Sequence, residues 1–100
     1  MVKSAATRDA QLLVLVSLAS GSKHGHAILL DVEAFSGHRL GPGTLYGAIE
    51  RLERAGYISP QPAEDRRVPY RLTEEGQVAL RDRVAAVDLI ARVGLERLAR

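Results

Sequence analysis

The sequence predicts a mainly α fold with a small β-hairpin, namely a winged helix-turn-helix domain followed by a long C-terminal dimerisation helix. Three observations point to this class. The stretch from Gly41 to Gly56 carries start and stop signals for a short helix, and an extended segment with a basic tip follows it. The chain then ends in a long helix that is apolar around most of its circumference. We therefore expect residues 1–73 to form the winged helix-turn-helix domain and residues 74–100 the dimerisation helix, as one structural unit.

Length, charge and cysteine content exclude several classes of protein. A chain of 100 residues forms one domain with a modest core, and oligomerisation would help to stabilise it. It contains no cysteine, which excludes disulfides and thiolate metal sites, and it shows no signal-peptide pattern, which points to the cytoplasm. The net charge is +2, but residues 74–100 carry five basic and five acidic side chains, so a positive surface must come from the earlier part of the chain.

A buried helix is predicted at the start of the chain. Thr7 can cap it, Asp9 lies in its opening turn, and Gly21 ends it. Its apolar run, Leu12–Leu18, falls short of the roughly 20 residues that a helix needs to cross a bilayer. We therefore expect this helix in the core of the domain.

The second predicted helix begins near Ser22 or His24 and ends at Gly37. A short strand, His38–Leu40, then links it to the next helix. The residues expected on its buried face are Ile28, Leu29, Val32 and Phe35.

The third helix is the predicted recognition helix. Gly41 suits its N-cap, Pro42 suits the first helical position, where a missing N–H costs nothing, and Gly56 suits a left-handed residue after its end. The buried stripe is Leu45, Ile49 and Leu52, and the outward residues are Thr44, Tyr46, Gly47, Glu50, Arg51 and Arg54. Such a small, hydroxyl-bearing and arginine-bearing face suits a helix that enters a DNA groove. The alternative is a solvated surface whose charges pair with one another and with water.

A hairpin with a basic tip favours DNA binding. Tyr57-Ile58 forms its first strand, and Val68–Leu72 resumes an extended, alternating pattern after Arg66-Arg67. Proline cannot donate a hydrogen bond to a β-ladder. The second strand must therefore lie at a sheet edge, or Pro69 must be among its first residues. Arginine outweighs acid over the helix and the hairpin together, which favours DNA as the partner. A winged helix that contacts only other proteins stays as the alternative.

The last helix has more apolar surface than one small domain needs. Thr73 suits its N-cap, and Glu74 and Glu75 lie favourably against the helix dipole. Its apolar face comprises Leu80, Val84, Val87, Ile90, Ala91, Gly94, Leu95 and Leu98, and Ala86, Leu89 and Val93 widen it. In preference to an intramolecular core helix, we predict a homodimer interface. Its residues are Leu80, Val84, Val87, Ile90, Ala91, Gly94 and Leu98.

Several motifs in combination resemble the PadR-like family of winged-helix transcriptional regulators over nearly the whole chain. They are Leu12–Leu18, His24-Gly25, Pro42-Gly43-Thr44-Leu45-Tyr46, Leu52–Ile58 and Tyr70-Arg71-Leu72-Thr73-Glu74-Glu75-Gly76. The resemblance implies a homodimer, typically a repressor, that docks two recognition helices and two wings onto a palindromic operator. It implies that Thr44 and Tyr46 meet DNA at the start of the recognition helix and that Arg66 and Arg67 meet it at the wing tip. It also implies a small apolar effector that releases the DNA.

The chain departs from the family pattern at three points. Gly41 stands where Ser is common, His26 replaces an aromatic residue, and there is no Trp to form an aromatic sandwich around planar drugs. The three histidines, His24, His26 and His38, are poorly placed to bind a metal together. His24 and His26 are an i, i+2 pair, and such a pair points to different faces of a helix. We therefore expect no metal, no cofactor and no catalytic site. The predicted DNA-binding residues are Thr44, Tyr46, Gly47, Arg51, Arg54, Arg66 and Arg67.

Overall fold

The structure, a computed structural model, describes residues 9–100. In chain order its elements are α1 (Ala10–Ala19), β1 (Lys23–His24), α2 (Gly25–Ser36), α3 (Pro42–Arg54), β2 (Ile58–Pro60), β3 (Pro69–Leu72) and α4 (Glu74–Leu98). The strands form one antiparallel sheet in the order β1-β3-β2. This mainly α winged-helix fold with a long last helix confirms the predicted class. The helix α1 begins after Asp9, and the predicted cap Thr7 lies outside the described residues.

The core is built around α1, which packs against α2, α3, α4 and β3. Val14 and Leu15 of α1 and Ile28 and Val32 of α2 have no exposed surface. Because full burial of an aliphatic side chain contributes roughly 1.5–3 kcal/mol, this cluster holds the helices in fixed relative positions. The remaining members of the core are Ala10, Leu18, Leu40, Leu45, Ala48, Ile49, Leu52, Ile58 and Leu80.

Two apolar side chains lie outside their expected environments. Phe35, expected on the buried face of α2, is exposed, because it follows Val32, the last core residue of that helix. Leu80, expected in a dimer interface, packs into the protomer's own core, because the first turns of α4 lie against α1. Every residue from 81 to 100 is exposed. The apolar surface of α4 that is available to a partner therefore starts at Val84.

The sheet contains a strand that the sequence did not predict. The short strand expected at His38–Leu40 is a connector without strand pairing, in which Leu40 is buried. The third strand is instead β1, where Lys23 lies opposite Tyr70 and His24 lies opposite Pro69. Pro69 is the first residue of β3, as predicted. The strand β3 is thereby central, and its pairing with β1 brings the wing against the start of α2.

The caps predicted at Gly37, Gly41, Gly56 and Thr73 are confirmed. Gly37 and Gly56 have φ of +76° and +83°, in the left-handed region where glycine carries no steric cost. The Thr73 hydroxyl accepts from the N–H of Gly76 at 3.0 Å and donates to the carbonyl of Gly56 at 2.7 Å. One side chain thus starts α4 and ties it to the end of α3.

Lys23 closes the other end of the domain. Its Nζ donates to the carbonyl of Ser17 and to the hydroxyl of Ser20, and lies 4.0 Å from the carboxylate of Asp31. A cation is favourable at these carbonyls because the C-terminus of a helix carries partial negative charge. Lys23 therefore fixes β1 to the end of α1, and β1 in turn positions His24.

Candidate nucleic-acid interface

The outward side of α3 follows from its buried side. Leu45, Ala48, Ile49 and Leu52 are all buried, so the opposite surface of the helix faces solvent. Thr44, Gly47 and Arg51 line a cleft of about 290 Å³ together with Ala10 and Gln11 of α1. Tyr46 lies on the other flank, over the start of α2. Between the two flanks lie the exposed residues Gly43, Glu50 and Arg54 and the half-buried Gly47.

Two glycines, Gly43 and Gly47, leave the backbone of the first turns of α3 without side chains on this surface. A Cβ on Gly43 would meet no atom within 4 Å, and a Cβ on Gly47 would lie 3.8 Å from a guanidinium nitrogen of Arg51. Packing within the protomer therefore does not require glycine at either position. Their effect is on the outside, since a second molecule can approach the helix more closely there than it could over side chains.

The arginines of α3 differ in their surroundings. Arg54 Nη2 lies 2.5 Å from Glu50 Oε1, in an ion pair whose two side chains are both well exposed. Such pairs contribute about 0–1 kcal/mol, so a phosphate or a base edge can replace the carboxylate at little cost. Arg51 forms no ion pair with any of residues 9–100. Both guanidinium groups are therefore accessible to an acceptor.

The tip of the wing is a tight turn. Glu64 and Arg67 exchange two backbone hydrogen bonds of 2.8 Å, and the residues between them, Asp65 and Arg66, have φ of 49° and 67°. Positive φ at both central residues is the mark of the type I′ turn, whose twist suits a β-hairpin. Arg66 therefore projects from the end of the wing, while Arg67 returns along its second arm.

A second cleft, of about 380 Å³, lies between α2, α3 and the wing. Arg67 Nη1 is 3.3 Å from His24 Nε2, and His24 Nδ1 is 3.3 Å from the backbone nitrogen of Ala27. A Cβ on Gly25 would lie 2.5 Å from the Tyr46 hydroxyl, so only glycine lets the phenol occupy this position. The lining residues are His24, Gly25, His26, Tyr46, Arg67, Val68 and Tyr70.

Tyr70 forms the inner wall of this cleft. Burial raises the pKa of its phenol above the usual value, and the negative charge of Glu53 and the neighbouring Tyr46 act in the same direction. The phenol is therefore protonated at neutral pH and can donate a hydrogen bond into the cleft.

All seven predicted DNA-binding residues lie on the surface or in a surface cleft, but in separate groups. Tyr46 and Arg67 meet in the cleft beside α2, whereas Thr44, Gly47 and Arg51 line the cleft beside α1. Arg54 stands in the last turn of α3, and Arg66 stands at the wing tip. The sequence prediction missed five residues that line the cleft beside α2: His24, Gly25, His26, Val68 and Tyr70. The pair His24-Gly25, a sequence motif that stands at the start of α2, was the available signal.

Two other features are absent from residues 9–100. Within this range no group of three His, Asp or Glu side chains is close enough together to hold a metal ion. Among the helices of the same range, none combines the length and the apolar character that a membrane span requires.

Comparison with known proteins identifies the family. Residues 14–82 match the sequence profile described as the Transcriptional regulator PadR-like family. A PadR family transcription regulator from hypervirulent Clostridium difficile has a similar crystal structure, with a TM-score of 0.81 and 25% identity over 90% of this chain and 98% of that one. A transcriptional regulator from Clostridium thermocellum gives a TM-score of 0.76 and 27% identity over 85% of each chain.

A relative with higher identity is a longer protein. The uncharacterized 37.1 kDa protein in transposon TN4556 of Streptomyces fradiae is 50% identical over 74 residues. These residues are 74% of this chain but only 21% of that protein. The profile match covers more than half of the chain, and the solved structures share its winged fold. The chain therefore belongs to the PadR-like family of transcriptional regulators.

Proposed function

We propose that this regulator is a cytoplasmic repressor that binds a palindromic operator as a homodimer and is released from it by a small apolar effector. One observation carries the proposal: each protomer combines an exposed helix-and-wing surface rich in arginine with a protruding helix rich in exposed aliphatic side chains. The first surface suits the phosphates and base edges of DNA, and the second suits another copy of the chain. Two copies joined by α4 present two recognition helices, as a two-fold symmetric site requires.

On the DNA side, α3 enters the major groove and the wing follows the backbone. Arg51 and Arg54 have the reach and the paired donors to bond guanine, while Thr44 can serve either a base or a phosphate. Gly47 lets the helix approach the groove closely. Tyr46, Arg66 and Arg67 contact phosphates, which position the protein but carry little sequence information.

The dimer is formed by α4 beyond residue 80. Val87 and Ile90 are 52% and 71% exposed in the protomer, and Leu98 is 84% exposed. Val84, Ala91 and Gly94 complete a stripe at helical spacing, and glycine lets another helix approach there. Leu89 and Val93 are also exposed but lie toward the far side of the helix, so a partner that covers them as well contributes more than one element.

The effector is proposed to bind between the wing and the dimer helix. A cleft of about 620 Å³ lies between the end of α1, strand β3 and the start of α4, with Leu18, Leu80 and Val84 among its lining. A ligand here touches both the wing and the dimer helix. It can release DNA only by as much as it prefers the non-binding state, so the operator must weaken its binding reciprocally. A thermal-shift screen with and without operator tests this, and a screen without any such ligand would leave a repressor that lacks an effector.

Replacing Arg66 and Arg67 together by Ala should weaken binding to all duplexes alike. With fewer phosphate contacts, binding releases fewer counterions from the DNA. The negative slope of log affinity against log salt should therefore become shallower by about 0.9 for each lost contact in each subunit. Fluorescence anisotropy with operator and scrambled duplexes over a range of salt measures this slope. The matched control is Arg92→Ala with Arg100→Ala, which removes the same charge from the C-terminal part of the chain. Unchanged affinity and slope in the wing variant would contradict the wing's role.

A further inference from the structure

We propose that the cleft between α2, α3 and the wing holds one DNA backbone phosphate, and that His24 is a ligand of this phosphate together with Tyr46 and Arg67. The proposal rests on the proposed operator binding and adds to it a site and a residue. The ligand is a single phosphodiester group of the operator. The site is the cleft whose walls come from the start of α2, the flank of α3 and the returning arm of the wing.

The contacts of His24 bring two hydrogen-bond donors together. Its Nδ1 accepts the N–H of Ala27, as the cap of α2, so the proton of the neutral ring lies on Nε2. That Nε2–H faces a guanidinium nitrogen of Arg67 at 3.3 Å. Guanidinium groups can only donate, so two donors face each other across the cleft. The reverse tautomer would accept from Arg67 but would lose the helix cap.

An anion placed between these two donors resolves the conflict. A phosphate oxygen can accept from His24 Nε2 and from Arg67 at the same time, and a charge-assisted bond is stronger than the contact it replaces. Neither the first turn of α2 nor the lining of the cleft contains an acidic residue, and the Glu53 carboxylate acts on Tyr70 from outside the lining. The N-terminus of α2, a helix of 12 residues, adds partial positive charge.

Tyr46 supplies a third donor from α3. Its ring lies against Gly25, at a distance that any Cβ would forbid, and this contact holds the phenol at the mouth of the cleft. One phosphate would therefore contact α2, α3 and the wing together. Such a contact fixes the insertion angle of the recognition helix, because all three elements must meet the same atom group. Arg67 would thus bind its phosphate together with His24 and Tyr46, whereas Arg66 would contact DNA alone from the tip of the wing.

His24→Asn tests the site while keeping the helix start. Asparagine is among the best N-cap residues but does not reach Arg67, so α2 should persist and the melting temperature should change little. Operator affinity should fall roughly tenfold to a hundredfold, as for a lost hydrogen bond to a charged group. Arg67→Gln, which leaves the cap untouched, is the second variant. His38→Asn, outside the cleft, is the matched control.

A methylphosphonate scan of the operator locates the contact. Neutralising one particular phosphate in each half-site should weaken binding of the wild type and of His38→Asn, but should have little effect on His24→Asn and Arg67→Gln. If the wild type binds DNA and the scans of wild type and His24→Asn coincide, the phosphate site is wrong while operator binding stands. If the wild type binds no duplex at all, the proposed function fails with it.

Discussion

Val87→Asp is expected to convert the proposed dimer into monomers and to reduce operator affinity by two or more orders of magnitude. The side chain is 52% exposed in the protomer, so the fold should tolerate the change. In the dimer the same carboxylate would be buried without a partner, which costs several kcal/mol. Loss of the second half-site removes an effective-concentration advantage of about 10²–10⁴. Light scattering at micromolar concentration, followed by operator titration, measures both effects.

The matched control is Val78→Asp on the same helix. Val78 is 55% exposed and lies nine residues before Val87, half a turn away around the axis, so it faces away from the proposed seam. It should leave both the dimer and the operator affinity intact. Ile90→Asp should behave as Val87→Asp does. A wild-type monomer at micromolar concentration, or an unchanged dimer for both seam variants, would contradict the proposed interface.

Gly76→Ala should destabilise the domain by about 3 kcal/mol, although alanine normally favours a helix. A Cβ here would overlap the carbonyl oxygen of Tyr57, a backbone atom that cannot move without disturbing its hydrogen bond to the N–H of Thr73. It would also come within 2.9 Å of Leu72 Cδ1. For a domain of this size the melting temperature should fall by more than about 10 °C, which calorimetry or circular dichroism measures directly.

Gly47→Ala should stabilise the domain, in contrast to Gly76→Ala. Its Cβ would meet only the flexible end of Arg51 at 3.8 Å, so the helix preference of alanine should raise stability by about 0.5–1 kcal/mol. Operator affinity should fall, because the added methyl group faces the groove.

A Gly76→Ala protein that melts at or above the wild-type temperature would contradict the close packing of Gly76 against the backbone of Tyr57.

The helix ends could be predicted because their chemistry is local. Gly41-Pro42 at the start of α3 and Gly56 after it adopt the expected cap positions, since glycine and proline restrict the backbone wherever they occur. The buried stripe of α3 was equally accessible, because Leu45, Ile49 and Leu52 repeat at helical spacing. These two signals sufficed to locate the candidate recognition helix.

Contacts between distant segments could not be predicted. A strand of two residues shows no alternation, and the partner of Lys23 in β1 is Tyr70. The contact between His24 and Arg67 spans 43 positions and depends on how the wing packs against α2. The predicted strand at His38–Leu40 was wrong for the same reason, since no strand within residues 9–100 pairs with it.

The sequence also could not show at which residue of α4 the core of the protomer ends. Leu80 and Val84 share one helix face and one kind of side chain, yet the first is buried and the second is exposed. The packing of α1 against α4 accounts for this difference, because Leu80 joins the core and every residue from 81 onward is exposed. Likewise, the sequence supplied Tyr46 and Arg51 as surface residues of one helix but could not assign them to clefts on opposite flanks.

The central claim is that two protomers, joined through α4, read a two-fold symmetric operator with α3 and the wing. Selection of bound sequences from a pool of random duplexes by the wild-type protein tests it most directly. We predict enrichment of an inverted repeat whose half-site centres lie about 34 Å apart, one turn of the double helix, so that both recognition helices enter successive major grooves. Enriched sequences without two-fold symmetry, or no enrichment at all, would contradict it.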